Sequence, residues 1–241
     1  MARVDGTGPY FAVGDGYALY RGAVGAGGAH RHAAFQVAVA VDGEVAMDDA
    51  SGVRHRGAAL VVPPMVEHRL LPSRDLRTFF IEPHCRFADG LRTFGGSGLV
   101  VAPGLRGLRE ADVRPGGARP SRDLDGRLLA AMRTLLDEPM PLPDVAARVG
   151  LSPQRLRALA RAELGMPLAR WRIWRRLARS AEALRAGDAL AVAAHAGGFA
   201  DQAHFTREMR RMMGMTPAEA VRALRPSAAP GRVDGDGAVD G

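Results

Sequence analysis

Two periodicities divide the chain. Up to about residue 111, apolar positions alternate with polar or small ones and are punctuated by Gly and Pro, the period-two signature of β-strands. From about residue 124 to residue 224 they recur at i, i+3, i+4 and i+7, the spacing of amphipathic helices. Between the two, DVRPGGARPSRD (112–123) crowds Pro, Gly and Arg and reads as an interdomain linker. The last stretch, PSAAPGRVDGDGAVDG (226–241), is low-complexity and reads as disordered. The pattern predicts an α+β chain of two domains, a β-rich 1–111 and an all-α 124–225.

The helical half contains a repeat. VAARVG at 145–150 returns as VAAHAG at 192–197, and Gly165-Met166 returns as Gly214-Met215. Each copy reads as helix, glycine turn, helix. In the first, Leu142, Val145, Ala146 and Val149 form a buried stripe, Gly150-Leu151 turns, Ser152 caps the next helix and Pro153 occupies its first position. In the second, Gly197-Gly198-Phe199 turns and Asp201 caps. This is a helix-turn-helix layout, whose second helix enters the DNA major groove.

Helical phase at about 100° per residue predicts which side chains face outward. On the first second-helix Leu156, Leu159 and Ala160 face inward, leaving Gln154, Arg155, Arg157, Ala158 and Arg161 outside. On the second, Phe205, Met209, Met212 and Met213 face inward, leaving Gln202, Ala203, His204, Arg207, Arg210 and Arg211. Arg pairs bidentately with guanine and Gln with adenine, so both outward sets suit base reading, with arginines nearer the helix ends suited to phosphate. Between the units, Trp171, Trp174, Leu177, Ala178, Ala181 and Leu184 form one long apolar stripe, with both tryptophans expected in the core. Arg170, Arg172, Arg175, Arg176 and Arg179 lie on the same helix and are candidates for the DNA backbone.

Charge sharpens this reading. The net charge is +7, and every one of the 33 basic residues is arginine. Within 145–180 there are nine Arg and one acid, Glu163, a concentration that favours a polyanion through counterion release. A hydrophobic content of 47% excludes wholesale disorder. A single cysteine, Cys85, excludes an intrachain disulfide framework, and no apolar run approaches membrane-spanning length, so a cytoplasmic protein without a membrane role is expected.

Residues 141–224 resemble the DNA-binding domain of AraC/XylS-type transcription regulators. The resemblance is carried by GGFADQAHFTREMRRMMGMTP, LARWRIWRRLARSAEALRAG and LPDVAARVGLSPQRL. It implies promoter binding through two helix-turn-helix units, with Gln154, Arg157, Ala158, Gln202, Ala203, His204 and Arg207 at the base-reading positions. Ala158 and Ala160 stand where the family usually has Arg and Phe, and Met209 stands where Phe is common.

In the β-rich half, HRHAAFQVAVAVDGEV places Phe35, Val37, Val39 and Val41 on one side of a strand, with Asp42-Gly43 as a hairpin turn. His30, His32, Gln36, Ala38 and Ala40 share the opposite parity, and GAALVVPPMVEHRL supplies His68. Three imidazoles and an amide oxygen form a donor set for a divalent metal such as Fe, Mn, Ni or Zn. The alanines Ala34, Ala38 and Ala40 leave interior volume for a small effector. The spacings H-x-H-x3-Q-x6-G (to Gly43) and Gly57 to Pro63 to His68 resemble the two cupin motifs, with Gln36 in place of Glu and Met65 in place of Gly. That resemblance implies a cupin-like β-barrel sensing a metal or small molecule. His55, His84 and His195 fall outside the motifs.

The sequence therefore predicts a sequence-specific regulator with promoter DNA, an effector or metal, and RNA polymerase as partners. It leaves open a homodimer, an inert pocket and the sign of regulation. The rival readings are a cupin-type metal-dependent enzyme with a helical appendage and a structural DNA-binding protein.

Overall fold

A computed structural model describes residues 9–94, 98–137 and 140–223; the low-complexity stretch 226–241 lies outside them. Nine strands come first: β1 Tyr10–Gly14, β2 Tyr17–Val24, β3 Phe35–Ala40, β4 Val45–Asp49, β5 Arg54–Gly57, β6 Ala59–Val62, β7 His68–Leu70, β8 Ser73–Ile81 and β9 Val100–Val101. They form an antiparallel six-stranded sheet, β1-β2-β8-β3-β6-β9, and a three-stranded one, β5-β4-β7. Helices α1 (Arg86–Arg92) and α2 (Glu110–Gly117) precede α3 (Gly126–Asp137), α4 (Leu142–Arg148), α5 (Pro153–Leu164), α6 (Leu168–Arg185), α7 (Leu190–Ala196), α8 (Gln202–Met213) and α9 (Pro217–Ala223). No helix among the described residues is long and apolar enough to cross a membrane.

β3 is buried on both faces. Phe35, Val37 and Val39 pack with Phe79, Ile81 and Val61 beneath Ala88 and Leu91 of α1 and Val113 of α2. On the opposite face Ala38 and Ala40 meet Val45, Met47, Leu60, Val62 and Leu76, so the second sheet fills the space those alanines leave. An effector cavity behind Ala38 and Ala40 is therefore not what forms. Two further expectations are corrected. Val41 lies beyond the strand and is exposed. Asp42-Gly43 does turn the chain, with Gly43 at φ +69°, but β3 pairs with β6 and β8 while β4 joins the other sheet, so the turn is a crossover between sheets and not a hairpin.

The stretch 112–123 contains most of α2, six of its eight residues. Asp112 caps that helix by accepting the Arg109 N–H at 2.8 Å, and Glu110 accepts the Tyr17 hydroxyl at 2.7 Å, tying α2 to β2.

The helical half follows the apolar stripes closely. Ser152 Oγ accepts the Arg155 N–H and Asp201 Oδ1 accepts the His204 N–H, so each second helix begins on the expected cap. Leu128, Ala131 and Met132 of α3 join Leu156, Ala160, Trp171, Phe205 and Met212 in one core. Ala33, Ala34 and Phe80 from the β-rich half are part of that same core, so the two halves are packed together. At the end of α7, Gly197 sits against α6. A Cβ there would collide with Ser180 Oγ and lie 2.7 Å from the Arg176 carbonyl oxygen. Gly197→Ala should therefore cost roughly 1–3 kcal/mol of stability, because one of the clashing atoms is backbone and cannot rotate away. A denaturant midpoint equal to that of the native chain would contradict this packing.

Candidate functional site

Two sets of residues carry chemistry. The first lies on the second helix of each helix-turn-helix unit. On α5, Gln154, Arg155, Arg157, Ala158 and Arg161 are exposed while Leu156 and Ala160 are buried. On α8, Gln202, Ala203, Arg207, Arg210 and Arg211 are exposed while Phe205, Met209 and Met212 are buried. His204 is half-buried, its ring edge-on to Phe199 at 5.3 Å, so it is the least free of the set.

The arginines of α6 divide differently from the expectation. Arg175 pairs with Glu82, and Arg176 donates to the carbonyls of Gly197 and Gly198 with its guanidinium 4.4 Å from the Phe199 ring centre. Both are committed inside the protein, which removes them from the candidates for DNA backbone contact. Arg179 is exposed, and Arg170 and Arg172 are partly so.

The second set is the histidine cluster. His30, His32 and His68 are all buried, and their candidate ligand atoms lie within 4.8 Å of one another. The β-ladder geometry brings them together: His30 and His68 form an isolated antiparallel bridge, exchanging N–H···O bonds of 3.0 and 3.1 Å. Met65 adopts φ +64° in the turn that precedes His68, a conformation costing about 1 kcal/mol outside glycine. Its N–H donates to the His32 carbonyl at 2.7 Å, which holds that turn against the cluster.

Each ring has its Nδ1 beside a backbone carbonyl: His30 at Gly28 (2.8 Å), His32 at Met212 (2.7 Å) and His68 at Val66 (3.0 Å). A carbonyl only accepts, so each neutral ring carries its proton on Nδ1 and leaves Nε2 bare. Burial lowers the pKa of all three. For His32 the neighbouring His30 and His68 lower it further, and His68 is pushed down to about 4. The Nε2 atoms of His32 and His68 lie 2.8 and 2.7 Å from Gln36 Oε1, and the Gln36 amide nitrogen donates to Thr78 Oγ1 at 3.0 Å.

Two bare nitrogens facing a carbonyl oxygen make a set of acceptors without a donor, which is the arrangement a cation satisfies. Turned about, the Gln36 amide would donate to both rings and accept from Thr78, so the same groups also serve a metal-free arrangement. The residues fit a divalent metal with three imidazole ligands and one neutral oxygen. The rings must draw in somewhat to reach ligand distances of about 2.0–2.1 Å.

His30 and His32 of the cluster, with Gln36 and Thr78, are the polar floor of an apolar cavity of about 370 Å³. Its walls come from both halves: Phe80 and Tyr20 from the large sheet, Trp174 and Leu177 from α6, Met209 and Met213 from α8. Trp171 is core, as expected. Trp174 serves as cavity wall as well as core, its ring 5.6 Å from Phe80 and 6.1 Å from His32.

Sequence reasoning missed the second seam between the halves, where buried Glu82 meets Arg175 and His84 Nδ1 lies 3.2 Å from Glu82 Oε2. Burial alone would push the Glu82 carboxyl up, but His84 and Arg175 outweigh it and hold it below the ordinary range. Nothing in the local pattern around Glu82 announces a partner 93 residues away. His55 pairs with Asp49 on the small sheet, His195 is exposed on α7, and Cys85 is a buried free thiol, its pKa pushed up to about 11 mainly by burial.

The histidine shifts give the metal-free chain a pH dependence. An unfolded histidine protonates near pH 6.5 and folded His68 near 4, so between those values the unfolded state binds more protons. Stability from this source is complete above about pH 6.5 and is lost as pH falls towards 4, by about 3 kcal/mol for His68. Thermal melts in chelator should fall across that window, more shallowly in His68→Gln. Identical slopes for the two chains would remove the assignment.

Among family models, the one described as "Helix-turn-helix domain" matches residues 145–223. Residues 145–223 carry a helix-turn-helix domain. This domain spans both units and α6. The chain is 30% identical over 142 residues to the regulatory protein Ada of Salmonella typhimurium, and 29% identical over 142 residues to the bifunctional transcriptional activator/DNA repair enzyme Ada of Escherichia coli. Each match takes in 57% of this chain and 40% of the relative, so the chain spans well under half the length of these relatives. The fold as a whole is similar to that of ToxT from Vibrio cholerae. One ToxT structure, bound to (E)-4-(8-methylnaphthalen-1-yl)but-3-enoic acid, has a TM-score of 0.58 at 11% identity over 87% of this chain and 100% of that one. A second, bound to an unsaturated fatty acid, has a TM-score of 0.55 at 12% identity over 92% and 98%. At that identity the likeness is one of fold: a β-rich half packed on a helix-turn-helix domain.

Proposed function

We propose that the protein is a sequence-specific transcription regulator without enzymatic activity, in which residues 124–225 bind promoter DNA and residues 1–111 sense a metal or small effector. The observation that carries this reading is the matched pair of helix-turn-helix units, each with Gln and Arg exposed on its second helix over a buried apolar face. Gln154 with Arg157 and Gln202 with Arg207 are the base-reading pairs, while Arg155, Arg161, Arg210 and Arg211 are suited to phosphate.

His30, His32, Gln36 and His68 are the residues that would hold a divalent metal. Such an ion would supply a fixed positive charge and an open coordination position at the cavity floor. The apolar walls suit an effector with an apolar body and one polar head, the head meeting the floor. Two ToxT structures hold ligands of that general kind, which supports an effector of that kind here. An effector wedged there touches both halves and so has different affinities for their different arrangements, which is the requirement for shifting DNA binding.

A promoter mobility-shift series tests the reading. Affinity for a specific duplex should fall steeply with salt, with a log–log slope of roughly −0.9 per phosphate contacted. A flat salt response, or equal affinity for all sequences, would contradict it. Turnover of a substrate that His68→Ala abolishes while DNA binding survives would favour a cupin-type enzyme instead.

A further inference from the structure

We propose that the histidine cluster, when it holds a divalent metal, clamps the C-terminal end of α8 to the β-rich half, so that metal occupancy and the position of the second reading helix are linked. The inference rests on the metal reading above and assigns its regulatory output.

Two of the three histidines are joined to this one helix end. His32, fully buried, has Nδ1 2.7 Å from the Met212 carbonyl. His30 Nδ1 lies 2.8 Å from the Gly28 carbonyl, and the Gly28 N–H donates to the Gly214 carbonyl at 3.2 Å. The backbones are flush at that point. Gly214 caps α8 in the left-handed region at φ +66°, and a Cβ on it would lie 2.6 Å from both His30 Nδ1 and the Gly28 oxygen. Gly165 closes α5 in the same way, at φ +70°, yet a Cβ there would meet nothing within 4 Å. The second unit is thus tied to the cluster at a position where the first is open.

Three physical effects then act in one direction. The Met212 carbonyl belongs to the last turn of α8, where carbonyls lack intrahelical partners, and His32 supplies its donor. A metal on Nε2 draws electrons from the ring and makes Nδ1–H a charge-assisted donor, roughly twice as strong as a neutral one. The C-terminal end of α8 carries the negative pole of the helix dipole and favours a cation beside it. The other seam, Glu82 with Arg175 and Phe80 against Trp174, holds α6 without involving the ligands' nitrogens, so it can serve as a pivot. Gln202 and Arg207 ride on the far part of α8, about 18 Å long for its 12 residues, so restraining its C-terminal end restrains the reading face. Linkage is reciprocal: whatever loosens α8 weakens metal binding by the same factor.

The full chain, titrated with Zn²⁺ alone, tests this with two readouts: Zn²⁺ affinity by calorimetry, and amide hydrogen exchange across residues 209–216. In the native chain Zn²⁺ should slow exchange there by about tenfold, within the range typical of coupling between sites. Gly165→Ala, which adds the same backbone strain away from any neighbour, should keep both affinity and protection. Gly214→Ala should bind Zn²⁺ about fivefold or more weakly and lose the protection. Gly28→Pro, which deletes the N–H given to Gly214 and leaves the helix sequence intact, should do the same to a lesser degree. Zn²⁺ binding to the native chain without protection of α8, or Gly214→Ala and Gly28→Pro both behaving as Gly165→Ala, overturns the clamp and leaves the metal reading standing. A native chain that takes up no Zn²⁺ removes both.

Discussion

Arg157→Ala combined with Arg207→Ala should weaken binding to a specific promoter duplex by about two to four orders of magnitude at fixed salt. Each guanidinium is exposed on the second helix of its own unit, so each substitution removes one candidate bidentate base contact worth roughly 1–3 kcal/mol. The two residues lie on different helices with no shared partner, so their costs should add. Neither is buried, and the folded chain should melt at nearly the native temperature, which separates lost reading from lost structure. Arg210→Ala and Arg211→Ala form the contrast. As phosphate contacts near the end of α8, each should weaken specific and non-specific duplexes alike and reduce the salt slope by about 1. Electrophoretic or fluorescence titration against specific and scrambled duplexes reads both effects. A double variant with unchanged discrimination would mean that α5 and α8 do not read bases.

His68→Ala should lower Zn²⁺ affinity by about 100-fold or more, beyond what loss of an outer-shell partner typically costs. Its Nε2 is bare, 2.7 Å from Gln36 Oε1, and its Nδ1 is fixed by the Val66 carbonyl, so the ring is held with its lone pair aimed at the shared centre. Gln36→Ala removes a neutral oxygen and no imidazole, and its effect should be smaller. Calorimetry on the two variants gives the order. Equal affinities in native, His68→Ala and Gln36→Ala chains would place any bound metal elsewhere.

The parts of this molecule legible in its sequence are those fixed by neighbours along the chain. Ser152 and Asp201 cap their helices because a short side-chain oxygen needs only the N–H three residues ahead. The buried stripes of α5 and α8 follow from a period of 3.6. The two faces of β3, with Phe35, Val37 and Val39 on one side and Ala38 and Ala40 on the other, follow from a period of two. His32 lies before that strand, beyond a bend at 33–34. What stayed hidden depends on partners far apart. Nothing local tells that Arg175 will neutralise Glu82, or that the Met212 carbonyl will accept from a ring 180 residues earlier. Asp42-Gly43 makes the turn its residues favour, but the partner of β3 is chosen by packing between the sheets, and the hairpin does not form. The effector space moved for the same reason. Behind Ala38 and Ala40 the small sheet closes in, and the cavity opens where Phe80 and the histidines face Trp174 and Met209.

A hydroxyl-radical footprint of the full chain on a selected high-affinity duplex bears most directly on the central claim, that two helix-turn-helix units read DNA together. The account predicts two protected backbone segments flanking successive major grooves on one face of the duplex, about 10–10.5 base pairs apart centre to centre, one lost in Arg157→Ala and the other in Arg207→Ala. A single protected segment indifferent to one of these substitutions, or uniform protection without preferred sequence, would contradict it.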